Sequence, residues 1–188
     1  PARFKSRQKC EAAQQKLGQL PLIAEDLGMI TQEVIALRDR LGFPGIRVLQ
    51  FAFGDDCADN IHRPHTYPRN CVAYTGTHDN NTTVGWFKGD DIGATTQTAE
   101  ERQRERQRAL EYLGTDGREI HWGFIRAVFQ SAADTAIVPL QDVLGLGSEA
   151  RMNIPGRAGG NWRWRFAADM LTDEIKARLQ EVTRCYGR

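Results

Sequence analysis

A histidine and an aspartate, His78 and Asp79, follow a short β-rich run at 71–75. A pair of acids, Glu25 and Asp26, likewise ends an earlier apolar run. In a (β/α) barrel the carboxyl ends of successive parallel strands form one face, and catalytic residues come from the ends of several strands. The spacing of these side chains therefore predicts part of such a catalytic face.

Two carboxylates and an imidazole at one rim suit cleavage of a glycosidic bond. In that reaction one acid donates a proton, and other groups stabilise positive charge at the sugar carbon. A structural interpretation of Glu25 and Asp26 stays open, because acids at strand ends also cap helices and pair with bases. We expect one of the two to point into the barrel mouth and the other toward the helix layer.

Other chemistries have less support. No cysteine stands at a strand end next to a histidine, so a thiol nucleophile is not indicated. His62, His65 and His78 could form a metal site, but a proline between the first two argues against presentation on one helix. No metal is predicted. Trp162 and Trp164, in the run N-W-R-W-R, could stack on sugar rings or serve the core.

Apolar runs bounded by turn residues predict four buried parallel strands, near 20–25, 46–53, 71–77 and 135–140. Helical patterns lie between and around them: near 5–18, after Thr31, in an insert at 88–130 with helices at 98–113 and 118–130, and near 169–183. Four such strands are half of a (β/α)8 barrel, which typically has about 250 residues. The sequence predicts an α/β fold, with residues 1–188 as a single partial barrel domain.

Composition narrows the choice of partners. The 188 residues carry 25 Lys and Arg against 24 Asp and Glu, a balance that indicates neither nucleic acid nor a membrane surface as partner. No apolar stretch approaches the roughly 20 residues of a membrane helix. The four cysteines form no C-x-x-C pair, so we expect reduced thiols and a cytoplasmic protein.

Several long motifs occur in order: A-E-D-L-G at 24–28, G-I-R-V-L-Q-F-A-F at 45–53, Y-T-G-T-H-D-N-N-T-T at 74–83, P-L-Q-D-V-L-G-L-G at 139–147, A-R-M-N at 150–153 and G-N-W at 160–162. Together they resemble glycoside hydrolase family 77, the 4-α-glucanotransferases or amylomaltases. Residues 1–19 and 88–130 are less distinctive. The resemblance implies the carboxy-terminal half, strands five to eight, of a TIM barrel of the α-amylase type.

The resemblance also implies an activity: transfer of α-1,4-glucan segments between maltooligosaccharides, with retention of configuration and no cofactor. Glu25 matches the family's general acid/base, and Asp79 matches the acid that stabilises the transition state. His78 matches a neighbour that binds sugar hydroxyls. Further substrate contacts are expected from Asp26, Arg47, Asn80 and Asn153.

The family's nucleophilic aspartate lies in an R-x-D-H-F type motif, and no such motif occurs in these 188 residues. We therefore expect the chain to need the missing amino-terminal half of the enzyme as its partner, and to be inactive alone. Two alternatives stay open. One is a non-catalytic glucan-binding module, and the other is an α-glucosidase or debranching hydrolase on the same type of barrel.

Overall fold

The computed structural model describes residues 2–18, 20–90 and 97–188. Within them, three short parallel strands form one sheet in the order β1-β2-β3, namely β1 Gly45–Val48, β2 Cys71–Tyr74 and β3 Thr135–Ile137. Gly45 pairs with Cys71, and Val72 pairs with Thr135. Because all three strands run in one direction, their carboxyl ends lie at the same edge of the sheet.

Helices connect and follow the strands. They are α1 Ala2–Leu17, α2 Gln32–Arg40, α3 Thr83–Lys88, α4 Ala99–Leu113, α5 Ile120–Gln130, α6 Leu140–Val143 and α7 Asp173–Cys185. Short 3₁₀ helices occur at Leu49–Ala52, Pro64–Thr66, Ser148–Ala150 and Ala168–Met170. No helix in the described ranges has both the length and the apolar character needed to cross a membrane.

Local signals set the ends of α4. The hydroxyl of Thr98 accepts a hydrogen bond from the backbone N–H of Glu101, and the Glu101 carboxylate accepts one from the backbone N–H of Thr98. This reciprocal pair satisfies two donors that a helix start leaves open. Gly114 ends the helix with a φ of 61°, a conformation that glycine adopts without a Cβ penalty.

The core lies between the sheet and α5. The helix buries Ile120, Phe124 and Val128 along one stripe, at the spacing of an amphipathic helix. Phe53, which is fully buried after β1, packs against Phe124 with ring centroids 5.8 Å apart. Burial of such apolar side chains is the main favourable contribution to folding and fixes α5 against the strand ends.

The predicted α/β class with parallel strands is confirmed, and so are the two helices predicted within the 88–130 insert. Residues 91–96 of that insert lie outside the described residues. Every strand is shorter than predicted. The run at 46–53 turns into a 3₁₀ helix after Val48, and the run at 135–140 leaves the ladder before Pro139, which cannot donate a backbone hydrogen bond.

The predicted strand at 20–25 is wrong, so the described sheet has three strands and not four. Pro21 has no backbone N–H to donate to a neighbouring strand. A backbone hydrogen bond from Ala24 N to Pro44 O, at 2.9 Å, joins this segment to the residue before β1. Leu22 and Ile23 are 47% and 49% exposed. An apolar run becomes a buried strand only when other residues cover its side chains and a neighbouring strand pairs with its backbone. This segment has too little side-chain cover and too few backbone hydrogen bonds to form a strand.

Candidate active site

A cavity of about 350 Å³ opens at the carboxyl edge of the sheet. Glu25, His78 and Asp79 all line it, although the first is more than fifty positions from the other two in sequence. The volume lies within the 300–1,000 Å³ range that is usual for small-molecule sites. The predicted convergence of these three side chains at one rim is therefore present in the structure.

A tight turn after β2 presents His78 and Asp79 to the cavity. Asn80 Oδ1 accepts hydrogen bonds from the backbone N–H of Thr77 at 2.9 Å and from the Thr77 hydroxyl at 2.8 Å. Such side-chain bonds to nearby backbone stabilise a turn in place of regular structure. Asn80 lines the cavity as well, but its oxygen is engaged in the turn. A substrate contact by Asn80 stays a prediction.

A second segment fastens the His78–Asp79 pair from the other side. Asn153 Nδ2 donates to Asp79 Oδ1 at 2.5 Å, and Asn153 N donates to His78 O at 3.1 Å. The Arg151 guanidinium donates to Asp79 O at 2.8 Å. The side chain of Asp79 is nevertheless 49% exposed, so its carboxylate is oriented by hydrogen bonds while it remains accessible.

Asp142 is a cavity-lining residue that the sequence analysis did not assign. Its carboxylate is 1% exposed and accepts hydrogen bonds from the Thr75 hydroxyl at 2.5 Å, the Thr83 backbone N–H at 2.7 Å and the Thr83 hydroxyl at 2.8 Å. Burial raises the pKa of Asp142, and these hydrogen bonds oppose that rise. Its position just after the run at 135–140 is the signal that could have found it, by the rule applied to Glu25 and Asp79.

Asp26 and Arg47 do not line the cavity. The Asp26 carboxylate accepts hydrogen bonds from Ile46 N at 2.7 Å, from Arg47 at 3.1 Å and from Arg38. Burial raises the pKa of Asp26, but the Ile46 bond and the two guanidinium groups outweigh it and hold that pKa below its usual value. Asp26 thus ties its segment to β1 and α2. Substrate contacts by Asp26 and Arg47 stay predictions.

The two histidines of the 62–65 loop form hydrogen bonds with different partners. His62 Nδ1 accepts a hydrogen bond from Val48 N at 3.1 Å, and burial followed by the charge of Arg47 lowers the pKa of His62 to about 4. His65 Nδ1 bonds the Tyr112 hydroxyl at 2.8 Å. In the described ranges, no group of three or more His, Cys, Asp or Glu side chains has an arrangement that could hold a metal ion.

Comparison with known proteins shows which family this chain resembles. A family model described as 4-alpha-glucanotransferase matches residues 2–172. A 4-alpha-glucanotransferase from Synechocystis is 50% identical over 171 residues, which are 90% of this chain and 32% of that protein. One from Clostridium butyricum is 44% identical over 175 residues, with 93% of this chain and 34% of that protein covered. The chain spans about a third of the length of these relatives.

Solved structures give the same result. An amylomaltase from Streptococcus agalactiae in complex with acarbose superposes with a TM-score of 0.83 at 36% identity, over 95% of this chain and 34% of that one. An amylomaltase from Corynebacterium glutamicum superposes with a TM-score of 0.63 over 86% of this chain and 28% of that one. At 17% identity the second likeness concerns the fold alone.

Proposed function

Because this chain belongs to the 4-alpha-glucanotransferase family, glycoside hydrolase family 77, we propose that it supplies the acid/base part of a retaining glucanotransferase active site. The observation that carries the proposal is the shared cavity of Glu25, His78 and Asp79 at the carboxyl edge of parallel strands. The substrate class is α-1,4-glucan, and the reaction moves a glucan segment from one maltooligosaccharide to another.

Glu25 performs the two proton transfers. As an acid it protonates the glycosidic oxygen while a carboxylate nucleophile attacks the anomeric carbon, and a covalent glycosyl-enzyme forms. As a base it then removes the proton from the 4-hydroxyl of the incoming sugar, which attacks the same carbon and restores the original configuration. The nucleophile comes from the amino-terminal half of the enzyme, since these 188 residues contain no R-x-D-H-F type motif.

Asp79 and His78 act on the donor sugar. The Asp79 carboxylate stabilises the positive charge that develops at the anomeric carbon, and its hydrogen bond from Asn153 keeps it oriented before the substrate arrives. A charge that is positioned in advance costs no reorganisation during the reaction. His78 is 57% exposed in its side chain and is available to bond a sugar hydroxyl. The mechanism calls for no metal or organic cofactor.

The same proposal covers ligands and location. The related Streptococcus agalactiae amylomaltase was solved with acarbose, so we propose that acarbose occupies the cavity of this chain once the barrel is complete. We also propose a cytoplasmic location, which is supported by four free cysteines. The proposed partners are maltooligosaccharides and the amino-terminal half, with no role for nucleic acid.

A chimera tests the activity. In it these 188 residues replace the matching region of the Synechocystis enzyme, and the purified protein is incubated with maltotriose. We expect glucose together with a ladder of longer oligosaccharides, and we expect no products from the 188-residue chain alone. Glucose without a ladder would favour the hydrolase alternative, and binding without any product would favour the glucan-binding module.

A further inference from the structure

Trp162 has an unusual backbone conformation for a large side chain. Its φ is 60°, and it is the one non-glycine residue in the described ranges with a positive φ. In this left-handed region the Cβ of an L-residue crowds the neighbouring carbonyl oxygen, so bulky residues rarely adopt it. Strained residues of this kind persist when the surrounding structure imposes them, and they cluster at ligand-binding sites.

Hydrogen bonds on either side impose the conformation. Trp162 N donates to Met152 O at 2.7 Å, while the Asn161 side chain accepts from Ile154 N at 3.0 Å and donates to Arg157 O at 3.0 Å. These bonds close the loop between residues 152 and 162 onto itself. The indole is therefore projected from a fixed backbone and not from a freely moving one.

The indole ring borders the cavity beside His78. Trp162 lines the cavity, and its ring centroid lies 5.2 Å from that of His78 at an interplanar angle of 35°. The residue is 52% exposed, in contrast to Trp122, which is 3% exposed and belongs to the core. A rigid ring that is half uncovered at a cavity rim leaves a large apolar face for a ligand, at the cost of exposing that face to water.

We propose that Trp162 is a glucan-binding residue whose indole packs against the glucose unit next to the one that His78 and Asp79 hold. The faces of a glucose ring carry C–H groups, which suit an aromatic face, while its rim carries hydroxyls that bond to polar side chains. The left-handed backbone fixes the ring at the rim before the glucan binds. This inference rests on the proposed function of the cavity.

The test measures maltoheptaose affinity by calorimetry, together with kcat, KM and thermal unfolding, in the chimera described above. Trp162→Gly relieves the backbone strain and removes the ring. We expect it to weaken maltoheptaose binding by tenfold or more and to raise KM, with an unfolding temperature no lower than that of the unsubstituted chimera. Trp162→Phe keeps a ring and should restore most of the affinity. Phe166→Ala is the matched control, because this aromatic side chain of the same segment is exposed and does not line the cavity, and it should bind as the unsubstituted chimera does.

Two results would overturn the inference alone. One is Trp162→Gly binding and transferring glucan like the unsubstituted chimera. The other is a joint loss of stability and affinity that Trp162→Phe does not restore, which would mark Trp162 as a structural residue of the loop. If the unsubstituted chimera neither binds nor transfers glucan, the proposed function fails and the inference fails with it.

Discussion

Asp79, the carboxylate proposed to stabilise the transition state, is oriented by hydrogen bonds without being buried. Its side chain is half exposed, yet Asn153 holds one of its oxygens and Arg151 holds its backbone carbonyl. Hydrogen bonds to a charged group are stronger than those between neutral groups. The orientation of Asp79 therefore depends on a loop that is more than seventy positions later in the chain.

Removing the Asn153 amide should slow the reaction more than it weakens binding. For Asn153→Ala in the chimera we expect kcat for maltotriose to fall about tenfold, equivalent to about 1.4 kcal/mol of lost transition-state stabilisation, with a smaller change in KM. Steady-state kinetics measure this effect. Asn70→Ala, which removes an exposed amide that bonds Gly42 O far from the site, is the control. An unchanged kcat for Asn153→Ala would show that the Asn153 amide does not position Asp79 for the reaction.

His62 should make the stability of the protein depend on pH. The folded-state pKa of about 4 lies below the ordinary value of 6.5, so the unfolded chain binds more protons between these pH values. The stabilisation due to neutral His62 is thus complete above about pH 6.5 and is lost as the pH falls toward 4. His62→Asn keeps an acceptor for Val48 N but cannot titrate, and thermal unfolding should then show a smaller loss over this range.

The control for that series is Asn70→Ala, at an exposed position that carries no titratable group. It should leave the pH dependence of the unfolding temperature as it is in the unsubstituted protein. Equal slopes for His62→Asn and the unsubstituted protein would contradict the assignment of a neutral, accepting imidazole to His62.

At the scale of elements, Asp142 joins the end of β2 to the start of α3. Thr75 follows β2 and Thr83 is the first residue of α3, and one buried carboxylate accepts hydrogen bonds from both. The segment between them, 76–82, carries His78 and Asp79. Asp142 therefore fixes both ends of the segment that presents these two side chains.

Substituting Asp142 should loosen this segment. In Asp142→Ala a buried N–H of Thr83 loses its acceptor, so we expect a loss of about 1–3 kcal/mol of stability against local opening. Hydrogen exchange of the Thr83 amide measures this loss. Asp142→Asn retains an acceptor and should lose less. Equal protection in Asp142→Ala and the unsubstituted chimera would show that the carboxylate does not hold the segment.

The sequence predicts elements well where the signals are local. The α4 helix is recovered almost to its ends, because Thr98, Glu101 and Gly114 determine its caps by contacts within a few residues. The strand at 20–25 fails because a strand depends on neighbours that an apolar run does not reveal. The same holds for strand length, since β1 ends at Val48 although the apolar pattern continues.

The candidate site likewise contains residues whose positions the sequence predicts and residues whose positions it does not. His78 and Asp79 can be placed at the rim from sequence because they follow a strand of a parallel sheet, whose strands bring their carboxyl ends together. Glu25 lines the same cavity, but from a segment that is not a strand in the structure. The ion pairs of Asp26 with Arg38 and Arg47 could not be predicted from sequence, because the direction of a side chain depends on which charges the fold places nearby. The positive φ of Trp162 likewise results from hydrogen bonds across a loop and has no sequence signature.

At the scale of the whole molecule, the described three-stranded sheet is open at its edges. In the described residues β3 has a strand partner on one side alone, and Ile137 within it is 40% exposed. Closed barrels leave no strand edge unpaired. Together with coverage of about a third of its relatives, this open edge supports the proposal that further strands complete the barrel.

Complementation tests that proposal. Mixing the chain with the remaining two-thirds of the Synechocystis enzyme should give a complex by size-exclusion chromatography and should restore glucan transfer from maltotriose. Neither part should transfer glucan alone, because the nucleophile and the acid/base then stand on separate molecules. Full transfer by the 188-residue chain alone would contradict the proposed division of the active site.

Chemical rescue of Glu25→Ala in the chimera, with α-maltosyl fluoride as donor, tests whether Glu25 is the acid/base. Fluoride leaves without protonation, so the glycosyl-enzyme forms, but its breakdown lacks the base. We expect added azide to raise turnover by about tenfold or more and to yield the α-glycosyl azide. Turnover that azide does not change, or rescue of Asp79→Ala in place of Glu25→Ala, would contradict the assignment of Glu25 as the acid/base.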